Sequence, residues 1–411
     1  MRIRPYNKET DFEYVERIWR EIGWLSAGDD DDKTTLKLFL EGSNPIVGEF
    51  EGEVEGMVST CPGEMRYLDQ DLKMDVVGAV TISRVARKQG LAKEMTARAI
   101  ANSALNGAKI SALGMFEQGF YNRLGYGTGG YEYIHSFNPA NLSINLQHRP
   151  PRRISKDDWK KAHQARLNRK RCHGSCNITN PLETRGVMNN TSNGFGLGYY
   201  NDEGELSHYI WCEADKVFHG PYWIEWMVYQ TKEQFLELMA LIKSLGDQVH
   251  KIGMIEPAGI QLQDLLHKPF VNKRVTKGST YSWVQRISAY WQMRILDLEG
   301  CLEKTHLLEE VRFNLNLSDP LEHILPDDAK WKGVGGQYVI TLGPASKAEP
   351  GYDENLPTLD ASVGAFTRMW LGVRPATGLS VTDEIDGPDQ LLADLDRVLS
   401  IVPQPKPDWD F

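Results

Sequence analysis

The sequence predicts an α/β protein, more closely an α+β arrangement of mixed sheets, built from three consecutive units. Apolar runs of strand length alternate with segments whose apolar residues recur at helical spacing, which is typical of helices packed on sheets. The chain has 411 residues, too many for one hydrophobic core. Turn-forming residues near Asn138 and a new pattern near Trp291 mark changes along the chain. The predicted units are 1–140, 141–288 and 289–411.

The first unit begins with two predicted helices, at 11–22 and 33–40, and continues with a run of strands. A helix, a strand, a short helix and a last strand at 131–137 follow. The strands predicted before them are 46–50, 54–60, 64–68 and 74–82. We expect a mixed sheet with helices on both of its faces.

The second unit repeats this pattern loosely. Strands at 194–200, 206–214 and 223–228 lead into an amphipathic helix at 232–245. The turn before that helix, 229–234, has neither a glycine nor a basic cluster. We therefore predict a degenerate copy of the first unit that binds no cofactor.

The third unit combines strands with helices in a different order. It has predicted strands at 311–315 and 336–342, a helix-and-turn block at 361–373 and a closing helix at 388–402. This order predicts a separate α/β unit.

The most informative segment of the chain is residues 76–92. Residues 76–82 are typical of a buried strand, whereas Leu91 and Met95 recur at helical spacing. The basic turn between them therefore lies at a helix N-terminus, where backbone N–H groups are unpaired and the helix dipole is positive. Gly90 removes the Cβ that would keep a phosphate away. The turn therefore predicts a diphosphate site.

Two motifs in this region resemble the GNAT superfamily of acetyl-CoA-dependent acetyltransferases. The spacing R-x-x-G-x-A at 87–92 resembles the superfamily signature, and FEQGFYNRLGY at 116–126 resembles the segment after the fifth strand of a GNAT domain. The resemblance implies acetyl-CoA as co-substrate, held by the splayed fourth strand and the turn. The residues it assigns to acetyl-CoA are Val80, Ile82, Val85, Arg87, Lys88, Gly90, Leu91 and Ala92.

The order of the three units resembles the Eis-type ("enhanced intracellular survival") N-acetyltransferases, which have a GNAT domain, a degenerate GNAT domain and a unit similar to sterol-carrier proteins. That resemblance implies direct attack of a substrate amine on the thioester. Tyr121 matches the family's general acid, because a phenol can protonate the departing thiolate. The other interpretation of Tyr121 is a core aromatic beside Phe116 and Phe120. The family's general base is the carboxylate of a terminal phenylalanine, and this chain ends in Phe411.

The C-terminal tail has the composition of an extended segment. Pro403, Pro405 and Pro407 favour it, and at roughly 3.1 Å per residue the tail can span about 30 Å, enough to return to the first unit. A terminal carboxylate is charged at neutral pH and can steer an ammonium group and relay its proton. The alternative interpretation is a solvated, frayed terminus.

The net charge of −10 favours cationic acceptors and argues against nonspecific nucleic-acid binding. The run of four aspartates at 29–32 either attracts such an acceptor or is a solvated loop. By region alone, Trp24, Asp29 and Asp410 are candidates for substrate binding. The expected acceptor is an aminoglycoside-like compound, a polyamine or lysine.

Composition predicts a cytoplasmic protein with no membrane span and no signal-peptide core. Five scattered cysteines argue against a disulfide framework. The segment Cys172-His173-Gly174-Ser175-Cys176 lacks a second pair of ligands, so no metal site is expected. The family resemblance also implies a hexamer, and aromatic segments around Trp211, Trp223 and Trp226 are candidates for its interfaces.

Two functional hypotheses from different classes follow. The first is an acetyl-CoA-dependent N-acetyltransferase acting on a primary amine, with Tyr121 as acid and the Phe411 carboxylate as base. The second is a non-catalytic protein, in which the first unit senses coenzyme A or serves as a scaffold and the third binds a lipid. An intact turn together with Tyr121 favours the enzyme, because a sensor does not need a general acid.

Overall fold

The computed structural model of the chain describes residues 2–26, 30–269, 280, 282 and 284–409, with only the backbone of 30–32. These residues form three β-sheets of eight, seven and five strands, with helices packed on their faces. The prediction of an α/β fold with mixed sheets is confirmed.

The first third of the chain contains, in order, β1 Arg2–Pro5, α1 Phe12–Ile22, α2 Asp30–Gly42, β2 Asn44–Phe50, β3 Glu53–Tyr67, β4 Gln70–Ile82, α3 Leu91–Leu105, β5 Ile110–Gly114, α4 Gln118–Asn122 and β6 Gly127–Thr128. The middle contains β7 Glu132–Phe137, β8 Arg152–Ile154, α5 Trp159–Leu167, β9 Cys176–Ile178, α6 Pro181–Asn190, β10 Phe195–Tyr200, β11 Leu206–Ala214, β12 Tyr222–Val228, α7 Lys232–Ser244, β13 Ile252–Ile255 and β14 Val284–Ser288.

The last third contains β15 Trp291–Ile295, α8 Leu298–Leu302, β16 Val311–Ser318, β17 Gly336–Leu342, β18 Lys347–Pro350, β19 Thr358–Ser362, α9 Val363–Trp370, α10 Ala376–Thr382, β20 Ile385–Asp386 and α11 Asp389–Val398. Its sheet has the strand order β18-β17-β16-β19-β20.

The first sheet has the strand order β1-β2-β3-β4-β5-β15-β6, and β9 adds to β3 outside that path. β4 runs parallel to β5, whereas β2, β3 and β4 are joined as antiparallel neighbours. Helix α1 packs on this sheet through Val15, Ile18 and Trp19, which recur at helical spacing. It ends at Gly23, whose φ of +83° is the left-handed conformation that terminates helices.

The first two sheets exchange strands. β7, which ends the first predicted unit, pairs with β13 and β14 of the second sheet. β15, which begins the third predicted unit, completes the first sheet between β5 and β6. A strand's sequence records which faces are buried but not which sheet edge it joins, so the exchange is invisible in the sequence. The predicted boundaries at 140 and 288 therefore divide the sequence, but the first two sheets each contain a strand from across a boundary.

The third unit shares a hydrophobic core with the first sheet. The ring of Trp370 in α9 stacks on Tyr67 of β3 with centroids 4.3 Å apart. A fully buried ion pair joins Arg294 of β15 to Asp319 beyond β16, and Arg294 also donates to the carbonyl of Leu124. The first and third units therefore form one packed body around β15.

The aromatic segments proposed as subunit interfaces lie elsewhere than expected. Trp211 and Trp226 are buried inside the second unit, with ring centroids 6.3 Å apart. The interface prediction is wrong for these two residues, because alternation in β11 and β12 turns their rings inward against α5 and α6. Within the described part of the chain, no helix is long and apolar enough to cross a membrane.

Candidate active site

A cleft opens in the first sheet where β4 and β5 separate. Their parallel pairing ends at Val76 opposite Ala112, yet β4 continues for six more residues to Ile82. Beyond Val76, this edge of β4 has no backbone pairing to β5. Unpaired backbone N–H and C=O groups along a strand edge can bind an extended ligand by adding a further row of hydrogen bonds.

A bulge in β4 redirects its side chains within the cleft. The register with β3 shifts between Gly78 and Thr81, and Ala79 has a φ of +51°. One extra residue on a strand turns the following side chains to the other face. Val80 and Ile82 consequently pack, half-buried, against the core formed with α3. The family resemblance assigns both residues to acetyl-CoA.

The turn between β4 and α3 presents unpaired amides. Gly90 precedes α3 with a φ of +85° and no side-chain cap. Within the described part of the chain, the backbone N–H groups of Gly90, Leu91 and Ala92 have no acceptor; the next hydrogen bond in line runs from Glu94 N–H to the Gly90 carbonyl at 3.1 Å. Arg87 and Lys88 are exposed beside them. The turn therefore offers amides, a helix dipole and two cations to an anion.

Tyr121 lies in the short helix α4, beyond the end of β5. Glu117 caps α4 by accepting from the backbone N–H groups of Gly119 and Phe120. The Tyr121 ring is buried and lies edge-on to Phe120, with centroids 5.0 Å apart. Burial, followed by the nearby Tyr290 and Glu117, raises the pKa of Tyr121 to about 12. Its phenol is therefore protonated at neutral pH, as a proton donor must be.

The C-terminal tail returns from the third unit to the junction of the first two. The Lys406 backbone N–H donates to the His173 carbonyl at 3.0 Å, and Arg169 holds Asp408 through its Nε at 2.8 Å and a second hydrogen bond. Gly174 makes room, since a Cβ there would lie 2.5 Å from the Lys406 nitrogen. The segment 172–176 is therefore a docking site for the tail.

The side chain of His173 holds this docking segment against its neighbours through two hydrogen bonds. Its Nδ1 accepts from the Leu68 N–H, and its Nε2 donates to the Leu371 carbonyl, both at 3.0 Å. Burial lowers the pKa of His173 to about 4, so the ring is neutral at neutral pH. Both ring nitrogens are occupied by protein partners. Among the described residues, no group of three or more His, Cys, Asp or Glu side chains is placed to hold a metal ion.

Trp409, the last described residue, is anchored at the end of the tail. Its ring is 4% exposed and lies 3.7 Å from the guanidinium carbon of Arg166, whose other face is 3.8 Å from Trp226. The Trp409 indole N–H donates to Glu183 Oε2 at 3.1 Å. Arg166 is thus held between two indole rings, and the tail is fixed next to a carboxylate of α6.

A cavity of about 570 Å³ adjoins the cleft on the side of β4 that faces away from α3. Its walls come from α1, α2, β3, β4, β9 and α6, with Tyr290 at one end. Tyr290 lies close enough to Tyr121 to influence its pKa, and it also borders a second cavity with Trp409. Glu183, which binds Trp409, lines the first cavity. The cavity, Tyr121 and the end of the tail therefore converge.

This arrangement of strand, turn and helix is similar to that of known proteins. Residues 2–129 match the model of an acetyltransferase (GNAT) domain family. The first third of the chain is therefore similar to GNAT acetyltransferase domains. The prediction of an enzyme of this class is confirmed, and such domains use acetyl-CoA as co-substrate. No curated protein matches the chain in sequence.

Solved structures with the same fold cover the whole chain. A probable N-acyltransferase from Enterococcus faecalis is 19% identical, with a TM-score of 0.80 over 100% of this chain and 99% of that one. A GCN5-related N-acetyltransferase from Anabaena variabilis is 18% identical, with a TM-score of 0.77 over 100% of both chains. Eis1 from Mycobacterium abscessus is 15% identical, with a TM-score of 0.76 over 100% of both. At these identities the likeness concerns the fold.

The structure brings together some of the predicted site residues and not others. Those assigned to acetyl-CoA lie together along β4, the turn and the start of α3, and Tyr121 lies beyond β5; these roles stay predictions. Trp24 is half-exposed and meets the cavity indirectly, edge-on to Trp19 at 5.1 Å. The predictions for Asp29, Asp410 and Phe411 lie outside the described residues.

Several residues of the site were not predicted. Glu183, Tyr290 and Trp19 line the cavity, and Arg166 anchors the tail. Each is distant in sequence from the two motifs, and only the fold brings them together. The one available signal was Trp409, an apolar residue close to a charged terminus.

Proposed function

We propose that the chain transfers the acetyl group of acetyl-CoA to a primary amine of a cationic acceptor. The observation that carries the proposal is the cleft between β4 and β5 leading into the basic turn and the unpaired amides of 90–92. An acceptor that is aminoglycoside-like, a polyamine or lysine supplies such an amine. Transfer proceeds by direct attack in a ternary complex, since the cleft and the cavity adjoin at β4.

The co-substrate is held by β4 and the turn. Val80 and Ile82 offer backbone groups to the pantetheine arm and to the thioester oxygen. The pyrophosphate binds at the turn and the start of α3. Gly90, the exposed residue just before α3, allows its close approach. The proposed binding residues there are Val85, Arg87, Lys88, Gly90, Leu91 and Ala92.

The chemical step needs an acid and a base. The neutral amine forms a C–N bond with the thioester carbon, and the C–S bond breaks. Tyr121 donates its phenolic proton to the departing thiolate. The Phe411 carboxylate accepts, directly or through water, the proton that the acceptor ammonium loses before attack, and Asp410 adds negative charge for the acceptor. The nitrogen loses its second proton as the amide forms, and this proton restores the phenol of Tyr121. The role proposed for Phe411 is supported by the position of Trp409, two residues earlier, next to Glu183 at the cavity wall.

Chemistry through an acetylated cysteine is disfavoured by the state of Cys61. This residue lines the cavity, but burial raises the pKa of its thiol to about 12. A protonated thiol is a poor nucleophile. Incubation with radiolabelled acetyl-CoA and no amine is therefore expected to leave the protein unlabelled; a labelled cysteine peptide would contradict direct transfer.

The remaining family features are also proposals. We propose an Eis-type organisation, in which a degenerate GNAT domain and a sterol-carrier-like domain follow the catalytic domain in a hexamer. Trp24 and Asp29 stay proposed contacts for the acceptor. A cytoplasmic location suits the five free thiols and the supply of acetyl-CoA.

The direct test is thiol release from acetyl-CoA with a panel of aminoglycosides, polyamines and lysine peptides, run beside a variant lacking Phe411. We expect release that depends on the amine and falls strongly in the shortened variant. No release with any amine, despite acetyl-CoA binding, would favour the coenzyme A sensor or scaffold. Full activity without Phe411 would exclude the Phe411 carboxylate as the base but would leave the proposed acetyl transfer standing.

A further inference from the structure

The cavity beside β4 has an apolar lining. Of its thirteen described lining residues, one, Glu183, carries a charge. Trp19 and Phe39 form an aromatic wall, with ring centroids 5.3 Å apart. Cys61 and Val76 form the floor against the sheet. A polycation bound there would place several ammonium groups against apolar walls, which is unfavourable without matching carboxylates.

Its polar groups are few and lie at particular points. Glu183 lies next to Trp409, at the end that the C-terminal tail approaches. Thr35 accepts a hydrogen bond from Asn189 at 2.8 Å, which joins α2 to α6. The indole N–H of Trp19 is buried and has no acceptor among the described residues. The cavity therefore offers a bound molecule mostly apolar surface.

From this lining we infer the class of acceptor, an inference that rests on the proposed function. We propose that the cavity binds an amphipathic amine, in which one primary amine is carried on an apolar alkyl or aryl body. The body fills the space between Trp19, Phe39 and Val76. The amine end lies toward Glu183 and Tyr290, where the cavity approaches Tyr121. At about 570 Å³ the cavity has the size of a small-molecule site.

Matched pairs of amines test this inference. Adding a ring to ethylamine gives 2-phenylethylamine, and adding a charge to butylamine gives 1,4-diaminobutane. We expect the ring to raise kcat/KM for thiol release by about ten- to a hundredfold, the gain from burying a phenyl group. We expect the second charge to give no increase. A larger gain from the second charge than from the ring would overturn the inference and leave the proposed function standing.

A filled cavity provides the second test. Gly186 lines the cavity from α6, and a Cβ there would meet only the Cβ of Leu38, at 4.0 Å. We expect Gly186→Leu to raise KM for 2-phenylethylamine at least about tenfold, with ethylamine and acetyl-CoA little affected. Gly378→Leu, at an exposed position of helix α10, is the matched control.

The outcomes separate the two proposals. An equal loss for both amines in Gly186→Leu, with an unchanged melting temperature, would show that the cavity does not hold the apolar body. Failure of the wild-type protein to release thiol with any amine would overturn the proposed function and this inference with it. Release that prefers 2-phenylethylamine and is lost selectively in Gly186→Leu supports both.

Discussion

Replacing Trp409 by alanine tests whether the C-terminal tail must be docked for turnover. The ring is 4% exposed, stacks on Arg166 at 3.7 Å and donates a hydrogen bond to Glu183. Asp408, one residue earlier, stays paired with Arg169. The substitution therefore removes the anchor at 409 while the tail up to Asp408 keeps its contacts.

The magnitude follows from the burial. Truncating a buried tryptophan to alanine costs about 3–5 kcal/mol, of which the contact with the Arg166 guanidinium contributes roughly 1–2 kcal/mol. Such a loss lowers the docked-to-released ratio by a factor on the order of 10² to 10⁴. A base displaced by about 1 Å already loses much of its effect. We therefore expect kcat to fall at least about tenfold, with acetyl-CoA affinity unchanged.

Two assays check this reasoning together. Thiol release measures kcat, and digestion with a carboxypeptidase measures how readily Phe411 is removed. Trp409→Phe is the matched control, because it keeps a ring over Arg166 but loses the bond to Glu183, and its effect should be smaller. Turnover within about twofold of wild type in Trp409→Ala, while the terminus is digested quickly, would refute the role of the docked tail. Unchanged digestion would refute the anchoring itself.

Three further predictions concern the turn, the acid and the core. Gly90→Ala and Gly107→Ala each place a Cβ at a left-handed residue beside α3 with no contact within 4 Å, so both should lose about 1–2 kcal/mol of stability; only Gly90→Ala should weaken acetyl-CoA binding in calorimetry. Because burial raises the pKa of Tyr121 to about 12, the phenol stays protonated and kcat/KM should show no falling limb up to about pH 10; a decline below about pH 9 would contradict its role. Arg294→Met strands the buried Asp319 carboxylate and should cost about 3–5 kcal/mol in denaturant unfolding, whereas a loss under 1 kcal/mol would refute the value given to this pair.

The turn between β4 and α3 was predictable because the sequence features that indicate it are local. An apolar strand, a Gly-containing basic turn and helical spacing all occur within 76–92, and the structure has β4, a left-handed Gly90 and α3 there. The position of Tyr121 beyond β5 was predictable for the same reason, since its motif is contiguous. The physical causes, strand alternation and helix-end chemistry, act over a few residues.

The strand exchange and the cavity were not predictable because they depend on distant contacts. β15 reaches β5 across more than a hundred residues of the second unit, and Glu183 meets Trp409 only through the returning tail. Trp211 and Trp226 were assigned to a surface because aromatic residues suit interfaces equally well. Tertiary packing decides whether such a residue is buried inside its own unit or at an interface between subunits.

The most direct test of the account is thiol release by Tyr121→Phe, measured beside its acetyl-CoA affinity. The variant keeps the ring that packs against Phe120 and loses only the proton donor. The account predicts that kcat falls by about 10²- to 10⁴-fold while the acetyl-CoA Kd is unchanged. Turnover at the wild-type rate, with the same affinity, would contradict Tyr121 as the general acid and with it the proposed chemistry of the site.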